Sequence, residues 1–382
     1  MNILVEGIGS MVFNTQLKYY NEMNWNIVGI DIDNKSSGLY KVSKPYIVPK
    51  YSDKNCFNII NDIIKKENID LVFPSVNEGL LEWSRRRKYF LDKYGTNVII
   101  SSEKAVEICI DKWNTYEFFV ENNIPTPKTS LSLKYELIKP RIGRGSAGIL
   151  IKNELHSDFN MEGYISQEIV EGEEYTIDIL CDFNSNPIYI IPRKRIDVES
   201  GVSVKGVTVF DAQIIKYCEQ IVDKLKPIGI INIQCFKKAD KIYFIEINPR
   251  IAGGSSLSFA ASDNWFKAIE SFVLGRKYTP KDILLTYFIK FDGMIFQAEI
   301  IEVDNEIFTY IHDKTTPIKD DDNDLIYSLE PNHKMNYNRN IFKYNTEIGK
   351  KIAYFFEFGK VFYQDNDVGD TINNYLNLCR KL

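Results

Sequence analysis

The sequence predicts a multidomain chain that mixes α/β and α+β segments. A doubly wound parallel sheet comes first, antiparallel α+β segments follow, and a small α+β extension ends the chain. Three observations carry that expectation. Residues 1–100 alternate β-rich apolar runs with helical stretches, the βαβ pattern that builds a parallel sheet. From about residue 135 onward, strand-like runs follow one another across short glycine-containing turns, which suits antiparallel hairpins. With 382 residues, 44% of them hydrophobic and 26% charged, the chain can fill two or three cores.

Within the first hundred residues, strands are expected at 3–6, 27–32, 71–74 and 98–100, and helices at 11–22, 56–66 and about 80–94. Gly7-Ile-Gly9-Ser follows the first strand and Asp31 ends the second, imitating a dinucleotide site. Val12 stands where the third glycine of that fingerprint belongs. A tight βα turn fits those residues better. So does a small-molecule site at the carboxyl edge of the sheet, with Gly9 and Glu78 on it. Residues 101–123 read as two helices, the first capped by Ser101 or Ser102 and the second opened by Asp111-Lys112. Pro125 and Pro127 then mark a boundary.

Gly143, Gly145 and Gly148 spell Gly-x-Gly-x-x-Gly in the run that starts at Lys139 and includes Arg141, Arg144 and Ser146. A dinucleotide loop of that spelling opens into a helix, whereas residues 149–151 are strand-like. No Gly-Lys-Ser/Thr follows, so a P-loop is excluded as well. A glycine hairpin with Lys139 at its base and Arg144 on it can instead fold over a triphosphate. Residues 164–178 then give strand, turn, strand. Free backbone groups beside Glu168 and Val170 could recognise adenine, and Glu174 could take ribose hydroxyls; the bland alternative is an acidic surface turn. A strand at 187–192 leads to Arg193 and Arg195, residues 201–206 read as a loop, and 214–225 as a helix. After Gly253-Gly254-Ser255-Ser256, one helix is expected over about 257–274.

Between those helices lie two strands, 230–236 and 242–247, short enough in their connection to make a hairpin turning near Ala239 or Asp240. Glu246 and Asn248, two apart, share a face, and that turn brings Gln234 to the same face. One carboxylate and two amide carbonyls are hard oxygen donors, suited to Mg²⁺ when substrate phosphates complete its shell. Arg250, just past the strand, has the planar fork that meets a phosphate or carboxylate. The alternative is a polar strip facing solvent.

The net charge of −5 lacks the basic excess of a nucleic-acid binder. No apolar run approaches the roughly 20 residues of a membrane helix, and the first residues lack the pattern of a signal peptide. The six cysteines (56, 109, 181, 218, 235, 379) and His156, His312 and His333 are scattered, with no zinc-type spacing. A reduced, cytoplasmic enzyme is the expected class.

Four motifs occur in one order: Lys139-Pro-Arg-x-Gly-Arg-Gly-Ser-x-Gly, Gln167-Glu-x-x-x-Gly-x-Glu-Tyr-Thr-x-Asp, Asn232-x-Gln234 and Glu246-Ile-Asn-Pro-Arg. Together they resemble the ATP-grasp superfamily, in the branch like the large subunit of carbamoyl phosphate synthase, over about residues 1–295. The resemblance implies ATP held between two antiparallel α+β subdomains. Lys112 and Lys139 would contact phosphates. Gly143, Gly145, Ser146 and Gly148 would belong to a mobile lid. Glu168, Val170 and Glu174 would hold adenine and ribose. Gln234, Glu246 and Asn248 would bind two Mg²⁺ ions, with Mn²⁺ as a substitute. Arg250, Lys139 and Arg144 would serve the transferred phosphoryl group.

The resemblance implies an acyl phosphate made from a carboxylate and displaced by an amine. One grasp unit and no ammonia-generating part point to a stand-alone carboxylate–amine ligase acting on small molecules. Arg193, Arg195, Gly9 and Glu78 are candidates for the substrate, and a homodimer is compatible with the sequence. The division expected is 1–110 for the first α/β domain, 111–190 for the lid subdomain, 191–295 for the metal subdomain and 296–382 for an extension of no assigned role. In that extension, 313–324 reads as a loop, and 346–357 and 370–382 as helices. Lys290-Phe-Asp292 is similar to the phosphatase motif of haloacid-dehalogenase enzymes, but Lys290 occupies the position of the nucleophilic Asp, and a last strand of the grasp domain fits better. Two rivals remain: an NAD-binding oxidoreductase using Gly7, Gly9 and Asp31, and a non-catalytic nucleotide-binding assembly protein.

Overall fold

Parallel pairing organises the first hundred residues of the computed structural model. The structure describes residues 1–143, 147–156, 158–199, 202–281 and 283, and beyond them the strands at 285–289, 294–303, 306–313, 341–345, 353–357 and 360–365. The first elements are β1 (Asn2–Glu6), α1 (Met11–Glu22), β2 (Asn26–Asp31), β3 (Lys44–Ile47), α2 (Cys56–Glu67), β4 (Leu71–Phe73), α3 (Asn77–Tyr94) and β5 (Asn97–Val98). Their sheet runs β3-β2-β1-β4-β5, all parallel. Leu4, Val28 and Val72 are fully buried, as strands covered on both faces must be. β3 has no counterpart in the sequence reading. Its residues Lys44 and Pro45 are exposed, and proline is tolerated because the strand lies at the sheet edge. The Ser10 hydroxyl accepts the Phe13 N–H at 3.3 Å and so starts α1.

Next come α4 (Glu103–Ile110) and α5 (Lys112–Glu121), separated at Asp111, whose carboxylate caps α5 through the Trp113 N–H at 2.8 Å. A small antiparallel sheet follows, built from β6 (Thr129–Ser130), β7 (Leu137–Pro140), β8 (Leu150–Ile151) and β9 (Tyr164–Gln167), in the order β6-β9-β7-β8. A second antiparallel sheet is formed by β10 (Glu173–Cys181), β11 (Pro187–Glu199), β12 (Val202–Thr208), β13 (Gly229–Lys238) and β14 (Lys241–Asn248). Between β12 and β13, α6 (Ala212–Leu225) buries Ile214, Cys218, Ile221, Val222 and Leu225, an apolar stripe at helical spacing. Last in this part are α7 (Ser256–Ala261) and α8 (Trp265–Val273).

Two expectations here need correction. Residues 202–206 are not a loop: they belong to β12, whose valines and Thr208 favour an extended backbone. The single helix expected over 257–274 is two helices. The chain breaks at Asp263-Asn264, where the Asn264 side chain accepts the Phe266 N–H at 3.1 Å and caps α8.

The chain divides into two compact units, Met1–Val204 with Val209–Phe259 and Asp263–Lys281, and Lys205–Thr208 with Ala260–Ser262 and Asp282–Leu382. In the second unit, Lys205–Val207 pairs antiparallel with β15 (Leu285–Ile289), followed by β16 (Met294–Val303), β17 (Glu306–Asp313) and β18 (Ile341–Asn345). A hairpin of β19 (Ala353–Glu357) and β20 (Lys360–Asp365) accompanies them. The helix expected over 346–357 is therefore overturned at its end, where Tyr354, Phe355 and Phe356 supply β-favouring aromatics. Asp313 closes β17 rather than opening a loop. The rest of 313–324, the stretch 370–382, Lys290, Asp292 and Cys379 lie outside the described residues. Cys56, Cys109, Cys181, Cys218 and Cys235 are free and buried. Among the described residues, no helix is long and apolar enough to cross a membrane.

Candidate functional site

Strand register assembles the site. Across β11, β10, β13 and β14 the pairs Arg193–Thr176, Thr176–Gln234 and Gln234–Glu246 form one continuous row. A second row, two residues along each strand, runs through Asp178, Asn232 and Asn248 on the same face. The hairpin turns at Ala239-Asp240, with Ala239 at φ 51°, so Gln234 and Glu246 stand directly opposite each other.

Glu246 and its neighbours offer one carboxylate and two amides. Asn248 Nδ2 donates to Glu246 Oε1 at 2.8 Å, while Asn248 Oδ1 accepts from Arg250 Nη2 at 3.3 Å. The Asn248 oxygen keeps a second lone pair for a cation. Among the described residues no group of three His, Cys, Asp or Glu side chains is placed to hold a metal ion. The donor set fits a hard cation whose shell is completed by phosphate oxygens and is too sparse for a metal held by protein alone. Arg250 is further tied to Asn77 through Nε and to the Ile251 carbonyl through Nη1 at 3.1 Å, and Asn232 Nδ2 donates to the Arg250 carbonyl at 3.1 Å.

Two cavities meet at this face. The smaller, of about 320 Å³, lies between the two antiparallel sheets and brings together Lys112, Lys139, Gly143, Glu168, Val170, Glu174, Gln234 and Glu246. The larger, of about 1520 Å³, opens at the carboxyl edge of the parallel sheet and is lined by Gly9, Glu78, Arg193, Asn248 and Arg250. Arg195, Gln234 and Glu246 belong to both walls.

Lys139 donates to Gln167 Oε1 at 2.8 Å, and burial pulls its ammonium down to about 8, with Glu246 opposing and Lys112 assisting. The stump of the glycine hairpin is bolted to α5: the Lys112 N–H donates to the Arg141 carbonyl at 2.9 Å, Lys112 Nζ to the Gly143 carbonyl at 3.3 Å, and Arg141 forks onto Asp111 at 2.6 and 3.1 Å. Arg141, counted in the sequence among the hairpin cations, is thus a structural tie. Gly148 lies off the cavity wall at φ 74°, with Pro140 so close that a Cβ would come within 2.9 Å. Arg144, Gly145 and Ser146 lie outside the described residues.

Some residues are already engaged. Glu174 forms an ion pair with Arg195, and Glu168 one with Lys128 at 3.1 Å. Asp31, the acid of the dinucleotide reading, accepts from the Gly9 N–H at 2.8 Å, from Ser36 Oγ at 3.2 Å and from the Asp33 N–H at 3.0 Å. It clasps its own turn. The sequence reading missed Asn77 and Glu6, and it gave Thr176 and Asp178 a place in a motif but no role. Asp178 lies among Ile177, Ile179 and Leu180, and a carboxylate inside that apolar run was the available signal.

Residues 109–254 match the family model of the ATP-grasp domain, and residues 3–99 match that of the PylC-like N-terminal domain. The chain is 28% identical to a tyramine–L-glutamate ligase of Methanocaldococcus fervens, over 64% of this chain and 81% of that one. It is 25% identical to the carbamoyl phosphate synthase large chain of Thermoplasma volcanium, over 53% of this chain and 23% of that one. In fold it is similar to N5-carboxyaminoimidazole synthetase of Staphylococcus aureus in complex with ADP, with a TM-score of 0.59 and 14% identity, covering 78% and 82% of the two chains. The polar row, the cleft between two antiparallel sheets and these matches agree: residues 109–254 are an ATP-grasp domain, and the chain is an ATP-dependent ligase.

Proposed function

We propose that this enzyme activates a small-molecule carboxylate as an acyl phosphate and joins it to an amine, with the nucleotide in the smaller cavity and the organic substrates in the larger. The observation that carries this reading is the shared wall, since Gln234, Glu246 and Arg195 face both spaces. Adenine and ribose fit against Glu168, Val170 and Glu174. The phosphates fit under the glycine hairpin, where Lys112 and Lys139 supply cationic donors and Arg144, Gly145 and Ser146 are assigned on sequence grounds. Glu246, Gln234 and Asn248 would hold two Mg²⁺ ions, or Mn²⁺ in their place, which neutralise phosphate charge when bound.

In the first step a carboxylate oxygen attacks the γ-phosphorus, the bond from that phosphorus to the bridging oxygen breaks, and ADP leaves. In the second, the amine nitrogen attacks the acyl carbon, phosphate departs with the electrons of the C–O bond, and the nitrogen gives up a proton. Both steps need positioning and charge neutralisation more than a protein nucleophile. Among the described residues, neither cavity is lined by His or Cys. A cytoplasmic location fits the five free, buried thiols.

The test is phosphate release from MgATP over a panel of amino acids, each paired with tyramine and with other amines. At least one pair should turn over, and Glu246→Ala should lower its rate roughly 100- to 1,000-fold, the scale of losing electrostatic stabilisation of the transferred group, with an unchanged circular dichroism spectrum. Undiminished turnover in that variant refutes the assignment, and silence across the panel favours a binding role.

A further inference from the structure

We infer that the larger cavity takes an acid with two carboxylates, one activated at Glu246 and the other held by Arg193. This deepens the ligase reading and rests on it. Arg193 is only 2% exposed yet lines the cavity. Its Nε and Nη2 donate to the two oxygens of Asp178, at 2.6 and 3.2 Å. Asp178, fully buried, also accepts from Ser255 Oγ at 3.0 Å and from Ser258 Oγ at 2.6 Å. The hydroxyls fill further acceptor sites of that carboxylate, and Asp178 uses only the Nε and Nη2 edge of the guanidinium. The remaining nitrogen, Nη1, lies beside Gly254, where a Cβ would come within 2.7 Å of it. A side chain at 254 would displace the guanidinium, so the bare backbone is part of the holder.

The other cavity arginines are spent differently: Arg195 on Glu174, and Arg250 on Asn77, Asn248 and the Ile251 carbonyl. Arg193 and Glu246 stand at opposite ends of one row, three strand spacings apart, roughly 14 Å between backbones. Their side chains take up part of that span and leave room for a short diacid. A monocarboxylate can satisfy one end only. Asp178, Ser255 and Ser258 are then positioning residues for Arg193.

Isothermal titration with glutarate, L-glutamate and butyrate, each with and without MgADP, tests the inference. The wild type should bind the two diacids at least tenfold more tightly than butyrate. Gly254→Ala should abolish that preference while its MgADP affinity changes less than twofold, a split that a general loss of structure would not produce. If Gly254→Ala fails to fold, Ser258→Ala decides on the same readout, with a preference at least threefold smaller. Equal affinity for glutarate and butyrate in the wild type, absence of heat from both diacids, or a preference that survives the substitution overturns the inference. A wild type that binds diacids but not MgADP refutes the ligase reading instead.

Discussion

Glu6 shows how much a single side chain can organise at the cavity edge. Its carboxylate accepts the Ser75 and Val76 N–H groups at 2.7 and 3.0 Å, the Trp83 indole N–H at 2.5 Å and the Tyr51 hydroxyl. Those bonds shape the turn that leads into α3, whose first turn carries Glu78. Burial pushes the carboxyl up to about 7, against the pull of these donors. Between about 4.5 and 7 the folded protein keeps a proton that the unfolded chain has lost, so this contribution to stability is complete at low pH and disappears as pH rises through 7. From pH 5 to pH 8 the melting temperature of the wild type should therefore fall relative to that of Glu6→Gln. A constant or growing difference contradicts the assignment. Glu6 was read only as a strand end, because nothing in its neighbours in sequence announces partners some 70 positions away.

At the scale of elements, the β-branched and aromatic run at Ile242–Ile247 made the β13–β14 hairpin legible, and βαβ alternation did the same for the parallel sheet. What escaped was set by tertiary context. β3 is a polar edge that pairs only because β2 is there, and the break before α8 rests on a cap that also reads as ordinary helix. The turn after β1 depends on a contact of the same kind. A Cβ on Gly38 would lie 1.9 Å from the Ile8 carbonyl oxygen, whereas one on Gly95 would meet nothing within 4 Å. Gly38→Ala should cost about 3 kcal/mol through overpacking. Gly95→Ala, at φ 71°, should cost about 1 kcal/mol from left-handed backbone strain alone. Chemical denaturation of the two variants measures both, and the reverse order would count against this packing of the turn.

Taken whole, the enzyme is read from two cavities that share one polar wall. The four motifs located that wall in the sequence, but the alternation that placed Gln234, Glu246 and Asn248 together could not show that Arg193 is pinned to Asp178 or that Arg195 is paired with Glu174. Those partners come from other strands, and register is not written in any one of them. The most direct test is calorimetric titration of MgADP into the wild type and Lys139→Met at pH 7, with NADH as the control. The account predicts saturable MgADP binding, at least tenfold weaker in the variant, and no heat from NADH. No MgADP binding, or equal affinity in the two proteins, would contradict it.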